Sequence, residues 1–165
     1  MTKINLEDLS NLRSDLKDKR IVFCSGTFDL THVGHVLFFE DCKKYGDYLV
    51  VAVAEDNAIR KLKGKNRPIL NEHIRLKTVD SYKPVNYVLL NGITDEDHNS
   101  EIREIMNRLN PDAYIINKDT FDIPGRRKMC AEQDVELVIL DRYCPKEYED
   151  ISTTKIIEKI KSLDL

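Results

Sequence analysis

Two histidines separated by Val33 and Gly34, namely His32 and His35, open an amphipathic segment of this 165-residue chain. Gly26-Thr27-Phe28-Asp29-Leu30-Thr31 runs directly into them. At a helix start, paired imidazoles and the unpaired N–H groups of the first turn can converge on one anion, and Gly34 lets a phosphate come close to the backbone. A lone histidine is more often packed or exposed than chemical, and a glycine between a strand and a helix is common. Joined in this order, the residues point to a phosphate site. Two further segments offer anion chemistry. Lys61-Leu-Lys-Gly-Lys-Asn-Arg67 is the one basic cluster, readable as a solvated loop or as phosphate contacts from Lys61 and Lys63. Ser152, Thr153 and Thr154 precede the last apolar stripe, where hydroxyls cap a helix or add donors beside its N–H groups.

The elements that must position these residues alternate. Arg20 to Ser25, Tyr48 to Ala54, Tyr87 to Leu90, Ala113 to Ile116 and Val135 to Leu140 are compact apolar runs of strand length. Helical periodicity marks Gly34 to Tyr45, Glu72 to Val79, Ser100 to Leu109, Gly125 to Gln133 and Ser152 to Leu163. The alternation predicts an α/β fold, a Rossmann-like doubly wound parallel sheet in three layers, α/β/α. The chain, 1–165, reads as a single domain. Residues 1–18, with Leu6, Leu9, Leu12 and Leu16 at helical spacing, read as an N-terminal helical extension lying as a lid on its edge. In such sheets ligands sit beyond the carboxyl ends of the strands, where Gly26 to His35 follows the first strand.

Composition narrows the partners. A net charge of −3 leaves no surplus for a polyanion, so nucleic acid is not expected. No apolar run has the length of a membrane helix and the N-terminus is too charged for a secretory signal, which predicts no membrane partner and a cytoplasmic protein. Cys24, Cys42, Cys130 and Cys144 form no CxxC pair and read as reduced, partly buried thiols.

GTFDLTHVGH resembles the signature of the cytidylyltransferase-like nucleotidyltransferases, which share a HxGH motif with class I aminoacyl-tRNA synthetases. Ile151-Ser152-Thr153-Thr154-Lys155-Ile156 is similar to the ISTTKI segment of glycerol-3-phosphate cytidylyltransferases. Lys19 to Pro68 resembles the adenylyltransferase domain of enzymes that make ADP-heptose. The resemblance implies transfer of a nucleotidyl group, CMP from CTP before AMP from ATP, to a phosphorylated sugar or polyol with release of pyrophosphate. Alternatives are an ADP-heptose-type adenylyltransferase and a nucleotide-binding module without catalysis. A synthetase is disfavoured by the short chain and the lack of a KMSKS segment.

On the same resemblance His32, His35, Lys63 and Thr153 are the catalytic candidates. Gly26, Thr27, Phe28, Asp29, Gly34, Asp56, Lys61, Arg75, Asp119, Arg142, Ile151, Ser152 and Thr154 are the nucleotide-binding ones. Asn117-Lys118 before Asp119 departs from the family's glycine, and the Tyr143 to Asp150 stretch is longer than usual. Arg142 and ISTTKI are the grounds for CTP. His73 and His98 match nothing and read as surface residues. Mg²⁺ is expected on the triphosphate, with no protein metal site, and small enzymes of this kind imply a homodimer. An acceptor whose phosphate is already ionised requires no general base, so the histidines would stabilise charge.

Overall fold

The computed structural model describes residues 3–92, 99–141, 143–148 and 151–163. Five strands, β1 (Ile21–Gly26), β2 (Tyr48–Ala54), β3 (Tyr87–Asn91), β4 (Ala113–Asn117) and β5 (Glu136–Leu140), pair in the order β3-β2-β1-β4-β5. Every pairing is parallel. The helices are α1 (Leu9–Asp15), α2 (Val33–Lys43), α3 (Asp56–Lys63), α4 (Glu72–Asp80), α5 (Ser100–Leu109), α6 (Ile123–Glu132) and α7 (Thr153–Lys161).

Alternation along each strand divides the core into two halves. Phe23, Val50, Ala52, Leu89 and Tyr114 face α1, α5 and α6, meeting Leu9, Ile105, Met106 and Met129. Val22, Cys24, Val51, Val53 and Ile115 face α2 and α4, meeting Phe39, Cys42, Leu76 and Val79. Both faces of β2 are therefore buried, the reason that its sequence is a continuous apolar run instead of an alternating one. The three-layer α/β/α sandwich is the architecture the alternation predicts. After β1 the chain winds outward through β2 and β3, then crosses to β4. The β1–β4 register ends at Cys24 and Ile115, and the carboxyl ends beyond them frame a crevice.

Two elements differ from expectation. Lys61 to Arg67, expected as a basic loop, begins inside helix α3, in which Ala58 and Ile59 are buried and which Gly64 stops at φ 89°. Its basic residues mask the short Ala58–Ile59 pair that seats the helix on its neighbours. The N-terminal segment is no lid: Leu9 and Leu12 are buried in the sheet's own core. Ile4 N–H donates to the Val88 carbonyl at 2.9 Å, and a Lys3–Val88 bridge covers the β3 edge. Arg13 completes the attachment with an ion pair to Asp112 at 3.1 Å. Among the described residues no helix is long and apolar enough to cross a membrane.

None of the four cysteines is in a disulfide among the described residues, and Cys24, Cys42 and Cys130 are buried. Burial pushes the Cys42 thiol far up and Cys130 up to about 11, so both stay protonated and unreactive.

Because Leu9 is fully buried, Leu9→Ala is expected to cost about 3 kcal/mol of folding stability. Urea denaturation measures it; a loss of only a few tenths would mean that the segment is an appendage after all.

Candidate nucleotide site

The turn after β1 is held in an unusual backbone. Phe28 and Leu30 have φ of 50° and 44°, left-handed values that side chains normally avoid. The Phe28 ring folds back over Gly26, where a Cβ would lie 2.8 Å from Phe28 Cζ, so only glycine fits beneath it. The same ring meets His35 edge-on at 5.5 Å and Phe39 at 4.9 Å. Asp29, 1% exposed, is a clamp: its carboxylate accepts the N–H groups of Ile69 at 2.8 Å and Leu70 at 3.0 Å and pairs with Arg67 at 2.9 Å. Its carbonyl accepts the Thr153 hydroxyl at 2.9 Å. The β1–α2 turn, the segment before α4 and the start of α7 thus meet on one residue.

The two histidines cap α2 reciprocally. His32 Nδ1 accepts the Gly34 N–H at 3.1 Å, while His35 Nδ1 accepts the His32 N–H at 3.3 Å. With both Nδ1 atoms accepting, each neutral ring carries its proton on Nε2. The rings lie 4.1 Å apart. Gly34 has a reason beyond phosphate access, since a Cβ there would lie 2.9 Å from His32 Cε1.

Both histidines line a cavity of about 440 Å³ at the carboxyl end of the sheet. Thr27, Lys63 and Arg67 share its wall with the start of α7, and Asn117, Asp119, Thr120 and Asp141 line it at the ends of β4 and β5. Lys63 Nζ donates to the Thr27 hydroxyl at 3.1 Å. Burial holds the Lys63 ammonium below the usual lysine range, with Arg67 adding to the effect, Asp29 opposing it and Arg75 reinforcing it. On α7, Ser152 is the N-cap: its Oγ accepts the Lys155 N–H at 3.2 Å. With Ser152 capping and Thr153 bonded to Asp29, the hydroxyls of ISTT largely position this helix start, whose N–H groups form the cationic end of its dipole.

Of the residues singled out in the sequence, Gly26, Thr27, Phe28, Asp29, His32, Gly34, His35, Lys63, Asp119, Ser152, Thr153 and Thr154 line this cavity. Asp56, Lys61, Arg75 and Ile151 do not. Arg75 is fully buried, contrary to a surface ion pair on a helix. It donates to the Thr27 carbonyl at 2.7 Å, the Leu70 carbonyl at 2.9 Å and Asp56 at 2.7 Å, so it and Asp56 buttress the wall from behind. Lys61 is exposed on α3, and the Ile151 carbonyl backs Gly34. His73 is exposed, whereas Arg142 and His98 lie outside the described residues. Ser25, Asp41, Arg67, Asn117, Thr120, Asp141 and Tyr143 join the cavity without having been singled out. Arg67 could have been found within the basic cluster; the others carry no pattern of their own. No group of three or more potential ligands that could hold a metal gathers among the described residues, and Asp29 is spent on its own donors.

A parallel sheet in this order, with donors and cations converging where the strand order reverses, defines a nucleotide-binding α/β protein. Residues 23–159 match the cytidylyltransferase-like family, and the chain belongs to that family. It is 34% identical over 143 residues to the FAD synthase of Ferroglobus placidus, covering 86% of this chain and 88% of that one. It is 36% identical over 149 residues to the bifunctional protein HldE of Campylobacter jejuni subsp. doylei, covering 88% of this chain but only 28% of that one. Among solved structures, the lipopolysaccharide core biosynthesis protein of Thermoplasma volcanium GSS1 superposes with a TM-score of 0.63 at 27% identity, over 78% of this chain and 99% of that one. The pantoate-beta-alanine ligase of Francisella tularensis, at 13% identity and a TM-score of 0.63, shares the fold. The chain accordingly carries the cytidylyltransferase-like domain over residues 23–159.

Arg75→Met removes one partner of a buried charge pair and the donors to two carbonyls. It is expected to cost about 3 kcal/mol in urea denaturation. An unchanged midpoint would show that the buttress carries no load.

Proposed function

We propose that this chain transfers an adenylyl group from ATP to an acceptor bearing a phosphate monoester. The observation that carries the reading is the His32–His35 pair at the start of α2, in one cavity with Lys63, Arg67 and the start of α7. An acceptor phosphate oxygen attacks the α-phosphorus, the bond to the bridging oxygen of the β-phosphate breaks, and pyrophosphate leaves. The nucleophile arrives ionised, so no base is required, and catalysis reduces to alignment and charge stabilisation. The histidine donors suit the α-phosphate, and Lys63, Arg67 and the α7 N-terminus suit the leaving pyrophosphate. Mg²⁺ carried on the triphosphate would neutralise part of its charge; magnesium prefers phosphate oxygens and water to a protein cage.

The name of the FAD synthase relative favours adenine over cytosine, because FAD contains an AMP unit. The case for CTP rests on the ISTT segment and on Arg142, which lies outside the described residues. For the acceptor, FMN and phosphorylated sugars or polyols are the classes that the relatives and the cytidylyltransferase resemblance support. A homodimer and a cytoplasmic location belong to the same reading.

Pyrophosphate release from ATP and from CTP, each with Mg²⁺ and with FMN, heptose phosphates or glycerol 3-phosphate as acceptor, tests the proposal. ATP is expected to outpace CTP, and His35→Ala to lower kcat about 10²- to 10³-fold with little change in nucleotide affinity. Turnover with CTP alone would overturn the adenylyl assignment, and near-normal activity of His35→Ala would overturn the role of the histidines.

The lowered Lys63 pKa sets a pH dependence. The ammonium is present below that pKa and is lost as pH rises through it, earlier than for an ordinary lysine. Calorimetric affinity for inorganic tripolyphosphate is expected to fall as pH is raised from neutrality toward the usual lysine range. In Lys63→Arg that fall should be absent, since a guanidinium stays charged. Equal slopes in both proteins would place the titrating group elsewhere.

A further inference from the structure

Behind the cavity, on the α5–α6 side of the sheet, runs a polar chain that phosphate binding by the histidines does not use. Arg126 on α6 donates through Nη1 to the Tyr114 hydroxyl, lies over the Tyr114 ring at 5.6 Å from its centroid, and donates through Nε to the Phe121 carbonyl at 3.1 Å. Tyr114 is fully buried on β4, and its oxygen is 2.7 Å from Ser25 Oγ. Ser25 stands at the end of β1, where the β1–β4 register has already ended, and lines the cavity beside Ile116 and Asn117.

The direction of each bond in this chain follows from what its members can do. A guanidinium only donates, so the Tyr114 oxygen accepts from Arg126. The Tyr114 proton then has Ser25 Oγ as its partner, and leaving it unmade would strand a hydroxyl in the core. Burial raises the phenol to about 12 against the opposing pull of Arg126, so it keeps that proton throughout the working pH range. Ser25 accepts from Tyr114, and its own proton is left to turn outward. A hydroxyl that accepts within a charge-terminated chain is also a stronger donor than an isolated one.

We propose that Arg126 and Tyr114 are positioning residues that hold Ser25 as a dedicated hydrogen-bond donor to a phosphoryl oxygen of a bound substrate. That oxygen belongs either to the triphosphate or to the phosphate of the acceptor. The choice of a phosphoryl ligand rests on the nucleotidyl-transfer reading, whereas the polarity of the chain rests on the side chains alone. A serine here could otherwise satisfy itself in either direction; the buried Tyr114, held by the half-buried Arg126, removes one of them.

Isothermal titration with two probes, ATP with Mg²⁺ and inorganic phosphate, separates the sources without requiring turnover. Ser25→Ala is expected to weaken one of them about ten- to a hundredfold, the range for a hydrogen bond to a charged group. Loss for ATP assigns the donor to the triphosphate, and loss for phosphate assigns it to the acceptor. Tyr114→Phe and Arg126→Met are expected to weaken the same probe about threefold to tenfold. Arg126→Lys, which retains a cationic donor, should recover most of that loss, as should Ser25→Thr for the first variant. Each variant is measured well below its own Tm, and a merely structural role would weaken both probes in step with Tm. Wild-type affinity for both probes in Ser25→Ala, or a Tyr114→Phe variant that binds normally while Ser25→Ala does not, would overturn the proposal. If the wild type binds ATP but releases no pyrophosphate with any acceptor, catalysis fails as a reading while the two binding arms still decide the role of Ser25.

Discussion

A carboxylate taken out of water must be matched by donors, and at Asp29 that requirement organises the whole site. Its two oxygens collect two backbone N–H groups and a guanidinium from the segment between α3 and α4, and its carbonyl collects a hydroxyl from α7. Breaking any one of these contacts would leave a charge or a polar group buried without compensation, which is costlier than the contact is favourable. The turn carrying the histidines therefore cannot relax independently of the other two segments. Arg75 repeats the device one layer deeper, fastening the Thr27 and Leu70 carbonyls through a single planar fork. The left-handed backbone of Phe28 and Leu30 is sustained by this over-determined surround.

Much of this was legible in the residues. Strand runs such as Tyr48 to Ala54 and the helix start at the glycine-histidine turn were legible because their signals are local: continuous apolar burial and a helix cap within four residues. What lay hidden is tertiary. Arg75 looks like any surface arginine on a short helix, and nothing nearby announces that its three partners lie 5, 19 and 48 positions away. α3 was obscured because its few apolar residues, Ala58, Ile59 and Leu62, are interleaved with Arg60, Lys61 and Lys63. The N-terminal leucines predicted a helix, but only the docked fold shows Leu9 inside the core. Ser25, Thr120 and Asp141 join the cavity through strand register, a property of pairing that no single segment encodes.

The relatives sharpen the division between what a fold carries and what a site selects. The chain spans nearly all of an FAD synthase but only 28% of the bifunctional HldE protein, so the same core serves both as a stand-alone enzyme and as one part of a larger chain. The histidine turn and the α7 start bring ring nitrogens and helix N–H groups to one cavity. The ends of β4 and β5 add Asn117, Asp119, Thr120 and Asp141 to the wall.

α7 presents its N-terminus to the cavity, yet none of its residues is fully buried, and Ile160 remains half exposed. A helix so lightly seated has a modest docking free energy of its own, drawn from partial burial and from the Thr153 bond to Asp29. Any anion that engages its first N–H groups adds to that energy, and by reciprocity the anion's apparent affinity is its intrinsic affinity scaled by the fraction of molecules in which the helix is seated. Changes on the far side of α7, remote from every substrate atom, would then register as changes in nucleotide affinity, making the last turns of the chain a control on the first step of the reaction.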